Sequence, residues 1–439
     1  MDNIMPLSHL DILSAIPYRS FVIAFSGGLD STVLLHQMML WQKNFIKIRA
    51  LHVHHGLSYS ANYWVKHCLN ICNIWNIKCD ILYIKIDQRD GGIEASSRKS
   101  RYQAIKNNLN KGEVLLTGHH LDDQCETFFL ALKRGSGPTG LSAMSPHIML
   151  GDVPLIRPML SFSKTQLKLW AKNYQLQWIE DESNNNERYD RNFLRKNILP
   201  SLIQRWPYFL KTTSRSAALC REQEELLDEL LAEELYKLIQ PDKSLLFTPM
   251  LTMSMVKRNA LLRRWLVKYG FIRPDRDQLI QIWKNIVLSR SDSQARFKMG
   301  NYEIRRYKNL IFFIPIRYSL QNCVLHWSNT KIPLKLPQNL GLLYCHSCNP
   351  EFRLPKSDEN IYIRFQIKGK YGLLGRIGKR TIKEIWQEKN IPPWERPYIP
   401  MIYYNDILIG TPGLFTTNEG SAQGLTGWQI QWYKNFNFL

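Results

Sequence analysis

The chain has no Walker-type Gly-x-x-x-x-Gly-Lys-[Ser/Thr] loop, so any nucleotide chemistry must use a different turn. No apolar run approaches the roughly 18 residues of a membrane-spanning helix. The opening residues Met1–Pro6 lack the basic-then-apolar layout of a secretory signal. These features predict a cytoplasmic protein with no membrane partner. Cysteine is sparse and scattered, at Cys68, Cys72, Cys79, Cys125, Cys220, Cys323, Cys345 and Cys348, which reads as reduced thiols. Cys345-His346-Ser347-Cys348 is the one Cys-x-x-Cys, and no second ligand pair stands at zinc spacing, so a loop or hairpin is expected there. Internal repeats and low-complexity tracts are absent as well.

Acidic charge is the other shortage. Against 58 Lys and Arg stand 37 Asp and Glu, for a net charge of +21. The surplus is +6 over residues 1–180, +11 over 181–340 and +4 over 341–439. Every part is basic and the middle most so, which points to a polyanionic partner, nucleic acid foremost. A merely solvated basic surface is the alternative.

What is present is an alternation of strand and helix signals. Strand-like runs occupy residues 21–25, 48–52, 81–86 and 114–117, with helical patterns over 31–41, 61–76, 93–109 and 123–133. Such alternation predicts an α/β domain, a parallel sheet flanked by helices, with ligands at the carboxyl ends of its strands. Residues 188–240, 261–268 and 277–288 read as helical, 302–306 and 310–314 as short strands, and 325–360 as Pro- and Asn-rich without a period. The expected organisation is a catalytic α/β domain over 1–215, a mainly helical middle domain over 216–325, a linker at 326–350 and a small α+β domain over 351–439.

Ser26-Gly27-Gly28-Leu29-Asp30-Ser31 ends the first apolar strand and opens a helix. Gly27 and Gly28 let backbone approach an anion, and the helix N-terminus aims free N–H groups at it. Ser26 and Ser31 add hydroxyls, and Asp30 is a candidate ligand for a metal ion bridging phosphates. An ordinary glycine turn is the plainer alternative. The hexapeptide resembles the pyrophosphate loop of the N-type ATP pyrophosphatases.

Three further clusters carry chemistry. In Thr117-Gly118-His119-His120-Leu121-Asp122-Asp123-Gln124-Cys125-Glu126-Thr127, Asp123 and Glu126 are three apart and share a helix face, which can receive an ammonium group or help hold Mg²⁺. An acidic helix start serving only the macrodipole is the alternative. Arg98 and Arg101 share one face of another helix and suit a common anion. His52, His54 and His55 match no zinc pattern and read as loop residues facing a nucleotide.

Taken in order, the pieces resemble the tRNA(Ile)-lysidine synthetases. The matching stretches are Ser26–Ser31, His52–Leu57, Glu94–Tyr102, Thr117–Thr127, Arg134-Gly135-Ser136-Gly137, Arg157-Pro158, Asp181–Asn184 with Arg191, Asn192 and Arg195, and the tail Gly378-Lys379-Arg380…Trp386-Gln387-Glu388…Ile391-Pro392-Pro393-Trp394-Glu395-Arg396. The resemblance spans nearly the whole chain and implies an adenine nucleotide alpha hydrolase-like fold. It also implies an ATP- and Mg²⁺-dependent carbon–nitrogen ligase. The wobble cytidine of a CAU-anticodon tRNA(Ile) is adenylated, and the ε-amine of L-lysine then displaces AMP to give lysidine, which reads AUA instead of AUG.

On that resemblance Ser26, Gly27, Gly28, Leu29, Asp30 and Ser31 hold ATP, with Asp30 on Mg²⁺. Arg98 and Arg101 neutralise the transferred group. Asp123 and Glu126 receive lysine, and His119 contacts phosphate or moves protons. Arg191, Arg195, Lys379, Arg380, Lys383 and Arg396 are expected on tRNA. Oligomeric state stays open, a homodimer being one option. A thiolase built on the same loop, a small-molecule synthetase and a non-catalytic RNA-binding protein are the rivals. Against them stand the lack of a cysteine pair near the loop, the +21 charge, and the intact Asp30, Asp122, Asp123 and Glu126.

Overall fold

The computed structural model describes residues 19–41, 46–54, 56, 60–84, 93–180, 186–290, 293–346, 350–367, 369–422 and 427–434. Met1–Pro6, His55, Leu57, the Asp181–Asn184 stretch and Cys348 lie outside them. Two units divide the chain, Met1–Leu230 and Leu231–Leu439.

The first unit begins β1 (Ser20–Ala24), α1 (Leu29–Trp41), β2 (Lys47–His54), α2 (Ala61–Ile74), β3 (Lys78–Tyr83), α3 (Ile93–Asn107), β4 (Glu113–Leu116) and α4 (Leu121–Lys133). It continues through α5 (Pro138–Leu141), β5 (His147–Leu150), β6 (Val153–Ile156), α6 (Lys164–Asn173), α7 (Asp190–Phe193), a π-helical turn at Leu194–Ile198, α8 (Leu199–Arg205) and α9 (Phe209–Leu238), whose residues from Leu231 on belong to the second unit. The sheet order is β3-β2-β1-β4-β6-β5, parallel except for the β5–β6 hairpin.

β1 is apolar at every central position because both of its faces are covered. Phe21, Ile23 and Phe25 pack with α1, α2 and α6, while Val22 packs with Leu51, Ile105, Leu115 and Leu155 on the other side. The period of two along the strand assigns each residue its face. Strand order reverses at β1, whose neighbours β2 and β4 lead away in opposite directions. This is the switch point where open α/β sheets leave a crevice at their carboxyl edge. The Ser26 loop and the Thr117-Gly118 turn both open on that edge.

The second unit holds α10 (Met255–Lys268), α11 (Arg276–Gln281) and a π-helical turn Ile282–Val287, packed on an antiparallel sheet. That sheet comprises β7 (Leu245–Leu246), β8 (Arg296–Met299), β9 (Tyr302–Tyr307) and β10 (Leu310–Pro315), in the order β7-β10-β9-β8. Trp265, Trp283, Ile304 and Ile311 fill the space between. The two short strands expected at 302–306 and 310–314 are β9 and β10, and β7 and β8 extend them to a four-stranded sheet beside the helices.

The remainder is strand-rich: β11 (Val324–His326), β12 (Leu334–Lys335), β13 (Leu342–His346), β14 (Ile361–Arg364), β15 (Lys370–Gly372), β16 (Lys379–Thr381), α12 (Ile382–Glu388), β17 (Met401–Tyr404), β18 (Ile407–Thr411), β19 (Phe415–Thr416) and β20 (Gln429–Tyr433). The sheets run β11-β14-β17-β18-β19 and β12-β13-β20, with a β15–β16 hairpin.

Residues 326–350 are therefore not a linker. β13 pairs with β20 through five residues, and Trp327, Leu336, Leu340 and Leu343 lie in the same core as Ile363, Tyr404 and Trp428. Strands this short carry no readable period, which is why the segment reads as loop. Among the described residues, no helix is long and apolar enough to cross a membrane.

Candidate active site

The loop between β1 and α1 is held by its own hydroxyls. Ser26 N–H donates to Ser31 Oγ at 3.2 Å, the two serine Oγ atoms are 3.0 Å apart, and Ser31 Oγ donates to Gly28 O at 3.1 Å. Gly27 has φ +82°, and a Cβ there would fall 2.9 Å from Cys68 Sγ, so both backbone and space require glycine. Gly118 presses against the same helix start. A Cβ on it would meet the Asp30 carbonyl at 3.0 Å. Leu29 and Ser31 are buried.

Asp30 turns Oδ2 toward His120, while its Oδ1 is buried and meets no hydrogen-bond partner among the described residues. A free hard oxygen beside a helix N-terminus fits Mg²⁺, which takes one or two carboxylates plus phosphate oxygens. No cluster of three or more His, Cys, Asp or Glu suited to a metal occurs among the described residues.

His120 is fully buried among three carboxylates: Asp122 at 3.4 Å, Asp123 at 3.5 Å and Asp30 at 3.6 Å. Burial alone would lower its pKa, but Asp123, Asp122 and Asp30 outweigh that and push it up to about 10. Its neighbour behaves oppositely. His119, whose Nδ1 lies 2.8 Å from Thr117 Oγ1, is pushed down to about 4 by burial and by the charges of Arg157, Arg98 and Arg191, which outweigh the opposing Asp123. At pH 7 His119 is therefore neutral and His120 is charged.

Asp123 and Glu126 do share a face of α4, but they do not form an open acidic pair. Glu126 is fully buried and takes a fork from Arg195, Nε to Oε1 at 2.6 Å and Nη2 to Oε2 at 2.9 Å, with Arg191 Nε 3.4 Å away. Arg195 Nη2 also reaches Asp123 Oδ1 at 3.3 Å, and Asp123 Oδ2 accepts the His120 N–H at 3.0 Å. Burial raises the Glu126 pKa against the pull of Arg195. Two expectations change. Glu126 has no surface to offer an ammonium group, and Arg195 has its guanidinium on carboxylates instead of free for RNA.

Arg98 and Arg101 come from α3, as expected. Their guanidinium carbons stand 5.5 and 5.9 Å from the Tyr102 ring centre. Burial and the charges of Arg98 and Arg191 lower the Arg101 pKa against an opposing effect of Tyr102. Arg157, at the end of β6, joins the group, as does Arg191 from α7.

In the second unit Lys379, Arg380 and Lys383 are exposed around β16 and α12. Arg380 pairs with Glu388 at 2.6 Å. Arg396 is not a free cation either: Nε and Nη2 both donate to Ile391 O, at 3.1 and 3.0 Å, bracing the turn that carries Pro392 and Pro393. Trp394 packs on Phe312 and Tyr307, with Arg305 over its ring, while Trp386 lies in the core with Phe415. Sequence reasoning assigned no role to His120 or Arg157. The only available signals were the doubled histidine before an acidic helix and an Arg-Pro at a strand end.

Family models agree with this layout. A PP-loop domain matches residues 5–202, a TilS substrate binding domain residues 245–312 and a TilS substrate C-terminal domain residues 361–432. The chain is 46% identical over 420 residues to the tRNA(Ile)-lysidine synthase of Serratia proteamaculans, covering 95% of this chain and 96% of that one. It is 47% identical over 421 residues to that of an Enterobacter species, covering 95% and 98%. Among solved structures, the U34-tRNA thiolase NcsA from Methanococcus maripaludis covers 49% of the chain and 77% of its own at 16% identity and TM-score 0.42. With coverage of nearly the full length and identity above two-fifths, the chain belongs to the tRNA(Ile)-lysidine synthase family.

Proposed function

We propose that this chain ligates the ε-amine of L-lysine to the 2-position of the wobble cytidine of CAU-anticodon tRNA(Ile), consuming ATP and releasing AMP and pyrophosphate. In the first half-reaction the 2-oxo oxygen of cytosine attacks the α-phosphorus of ATP, that P–O bond forms, and pyrophosphate leaves. In the second, the neutral ε-amine attacks the ring C2, the C–O bond to AMP breaks, and the amine loses a proton. The observation that supports the reading most is one junction, where the Ser26–Ser31 loop, Asp30, His120 and Asp123 meet within 3.6 Å contacts at the sheet switch point of a chain in this family.

The Ser26–Ser31 backbone and hydroxyls hold the pyrophosphate portion of ATP. Asp30 holds Mg²⁺, which when bound supplies charge neutralisation on the phosphates. Charged His120 holds Asp122 and Asp123, at the head of α4, together with Asp30 of α1. Arg98, Arg101 and Arg191 stabilise negative charge developing on the transferred group. Asp123 is the carboxylate that meets the lysine ammonium, and Glu126 acts through Arg195 and Arg191. Neutral His119 offers a lone pair to a substrate proton. Lys379, Arg380 and Lys383 face tRNA phosphates, and the chain works in the cytoplasm.

The test is nucleoside mass spectrometry on CAU-anticodon tRNA(Ile) transcript incubated with protein, ATP, Mg²⁺ and lysine. The expected product is a cytidine heavier by lysine less water, with AMP and pyrophosphate in equal amounts. ATP consumption with no amino acid adduct would overturn the reading.

A further inference from the structure

His52 has no part in the roles proposed above. It lies inside β2, is 4% exposed, and its Nδ1 stands 2.9 Å from Phe25 O, the last carbonyl before the phosphate loop. The way β1 ends explains the contact. β1 and β2 pair residue by residue as far as Ala24 and Leu51, and Phe25 N–H still donates to Leu51 O at 2.8 Å. Beyond that point the chain leaves β2 to turn at Gly27, and the next carbonyl needs a donor from outside the ladder. The imidazole supplies it. A carbonyl oxygen only accepts, so Nδ1 carries the hydrogen and His52 is fixed as one tautomer. Cys68 Sγ, 3.3 Å from the same nitrogen, is then a weak second acceptor. Burial lowers the His52 pKa despite the Phe25 bond, so the ring is neutral at pH 7.

This one bond acts on the loop through a rigid unit. The peptide between Phe25 and Ser26 is planar, and its C=O and N–H point in opposite directions. His52 holds the oxygen. At the other end Ser26 N–H donates to Ser31 Oγ at 3.2 Å, and Ser31 Oγ donates to Gly28 O at 3.1 Å. Fixing the plane therefore fixes the hydroxyl that braces the turn. Cys68 adds a steric floor, since its Sγ lies 2.9 Å from where a Cβ on Gly27 would stand. Without the imidazole, Phe25 O either stays buried with no donor or swings away. Swinging takes Ser26 N–H off Ser31 and turns a carbonyl oxygen toward the side that receives phosphate.

We propose that His52 is a positioning residue for the first half-reaction: its Nδ1–H holds the Phe25–Ser26 peptide in the orientation that shapes the Ser26–Ser31 loop for the pyrophosphate portion of ATP. Resting on the function proposed above, this role gives His52 no contact with substrate. It acts through main chain alone.

The experiment compares H52N, H52Q and H52A by calorimetric ATP affinity and by the KM for ATP and for lysine in adduct formation. Asparagine carries its amide N–H near the place of Nδ1, glutamine near that of Nε2, and alanine has neither. H52A and H52Q are expected to weaken ATP binding about 10-fold or more, as a buried carbonyl loses its donor, with the KM for lysine unchanged. H52N is expected to recover most of that loss. A mere packing defect would fall on H52N and H52Q alike, or on Tm with ATP affinity unchanged, and either result would overturn the proposal. If the variants do not fold, NMR of the otherwise wild-type protein with isotope-labelled histidine nitrogens carries the test. The resonances moved by C68A should show a protonated Nδ1 and a bare Nε2, and the opposite tautomer would overturn the proposal. Wild-type protein that binds ATP but attaches no lysine is a different failure, which falls on the proposed function and leaves the ATP readout standing. Wild-type protein that binds no ATP would overturn both.

Discussion

Removing Arg195 should destabilise the first unit and should do so more at high pH than at low. In R195A, the Glu126 carboxylate stays fully buried and loses its fork at 2.6 and 2.9 Å. Two unit charges about 4 Å apart interact by about 4 kcal/mol at an effective dielectric of 20. Breaking a buried pair typically costs about 3–5 kcal/mol, because the remaining charge is uncompensated. Two facts pull the value to the low end: Arg195 is 27% exposed, and Arg191 remains 3.4 Å from the same carboxylate. The expected loss at pH 7.5 is about 3 kcal/mol, or about 6–12 °C in Tm for a unit of this size.

The pH dependence follows from the sign of the Glu126 shift. Burial raises its folded pKa above the unfolded one even with Arg195 present, so the folded state binds more protons and stability falls as pH rises between the two values. Without Arg195 that window widens upward. Near pH 4, where Glu126 is protonated in both states, the loss should shrink to about 1 kcal/mol. The double variant R195A/E126Q removes the uncompensated charge and should recover at least half of the loss at pH 7.5. Calorimetric scans of wild type, R195A, E126Q and the double variant from pH 4 to 8 provide the comparison. A loss under 1 kcal/mol for R195A, independent of pH, would refute the reasoning.

Other consequences are as direct. G27A must adopt φ near +82° and place a methyl 2.9 Å from Cys68 Sγ; a loss of about 1–3 kcal/mol and of ATP binding by calorimetry is expected, and wild-type affinity would contradict it. His119 has a folded pKa of about 4 below its unfolded value, so it removes stability as pH falls from about 6.5 toward 4, by up to about 3 kcal/mol; H119Q should flatten that part of the stability curve, and an unchanged slope would contradict the assignment. A truncation after residue 340 removes β13 and β20 but leaves Trp327, Leu336 and Leu340 without their core, so it should aggregate, whereas truncation after residue 319 should give a more soluble product; light scattering decides between them. W394A should weaken tRNA binding through altered seating of the tail on Phe312 and Tyr307, seen as a rise in KM for tRNA with the KM for ATP unchanged.

The α/β unit was legible because each of its signals is local and repeated. The run Phe21-Val22-Ile23-Ala24-Phe25 can only be a strand covered on both faces, and Gly27-Gly28 before Asp30 can only follow it as a turn. Arg98, Arg101, His119, Asp123 and Glu126 were recognised as chemistry-bearing by residue type and spacing. Their pairing was not, since Arg195 meets Glu126 from 69 residues away, and spacing on one helix says nothing about a cation arriving from another. The same limit applies to His119 and His120. Adjacent in sequence, they differ by about six pKa units because one faces arginines and the other carboxylates. Segment 326–350 is hidden for a different reason: β12 and β13 are two and five residues long, β12 pairs only with β13, and β13 finds its other partner in β20, near the other end of the unit.

The most direct test of the central claim is to hold back lysine. Protein, Mg²⁺, α-labelled ATP and CAU-anticodon tRNA(Ile) should yield tRNA carrying the label on its wobble cytidine, with pyrophosphate released in equal amount. A chase of unlabelled lysine should then discharge the label as AMP and leave lysidine. Label that never reaches the tRNA, or that lysine cannot discharge, would contradict the account.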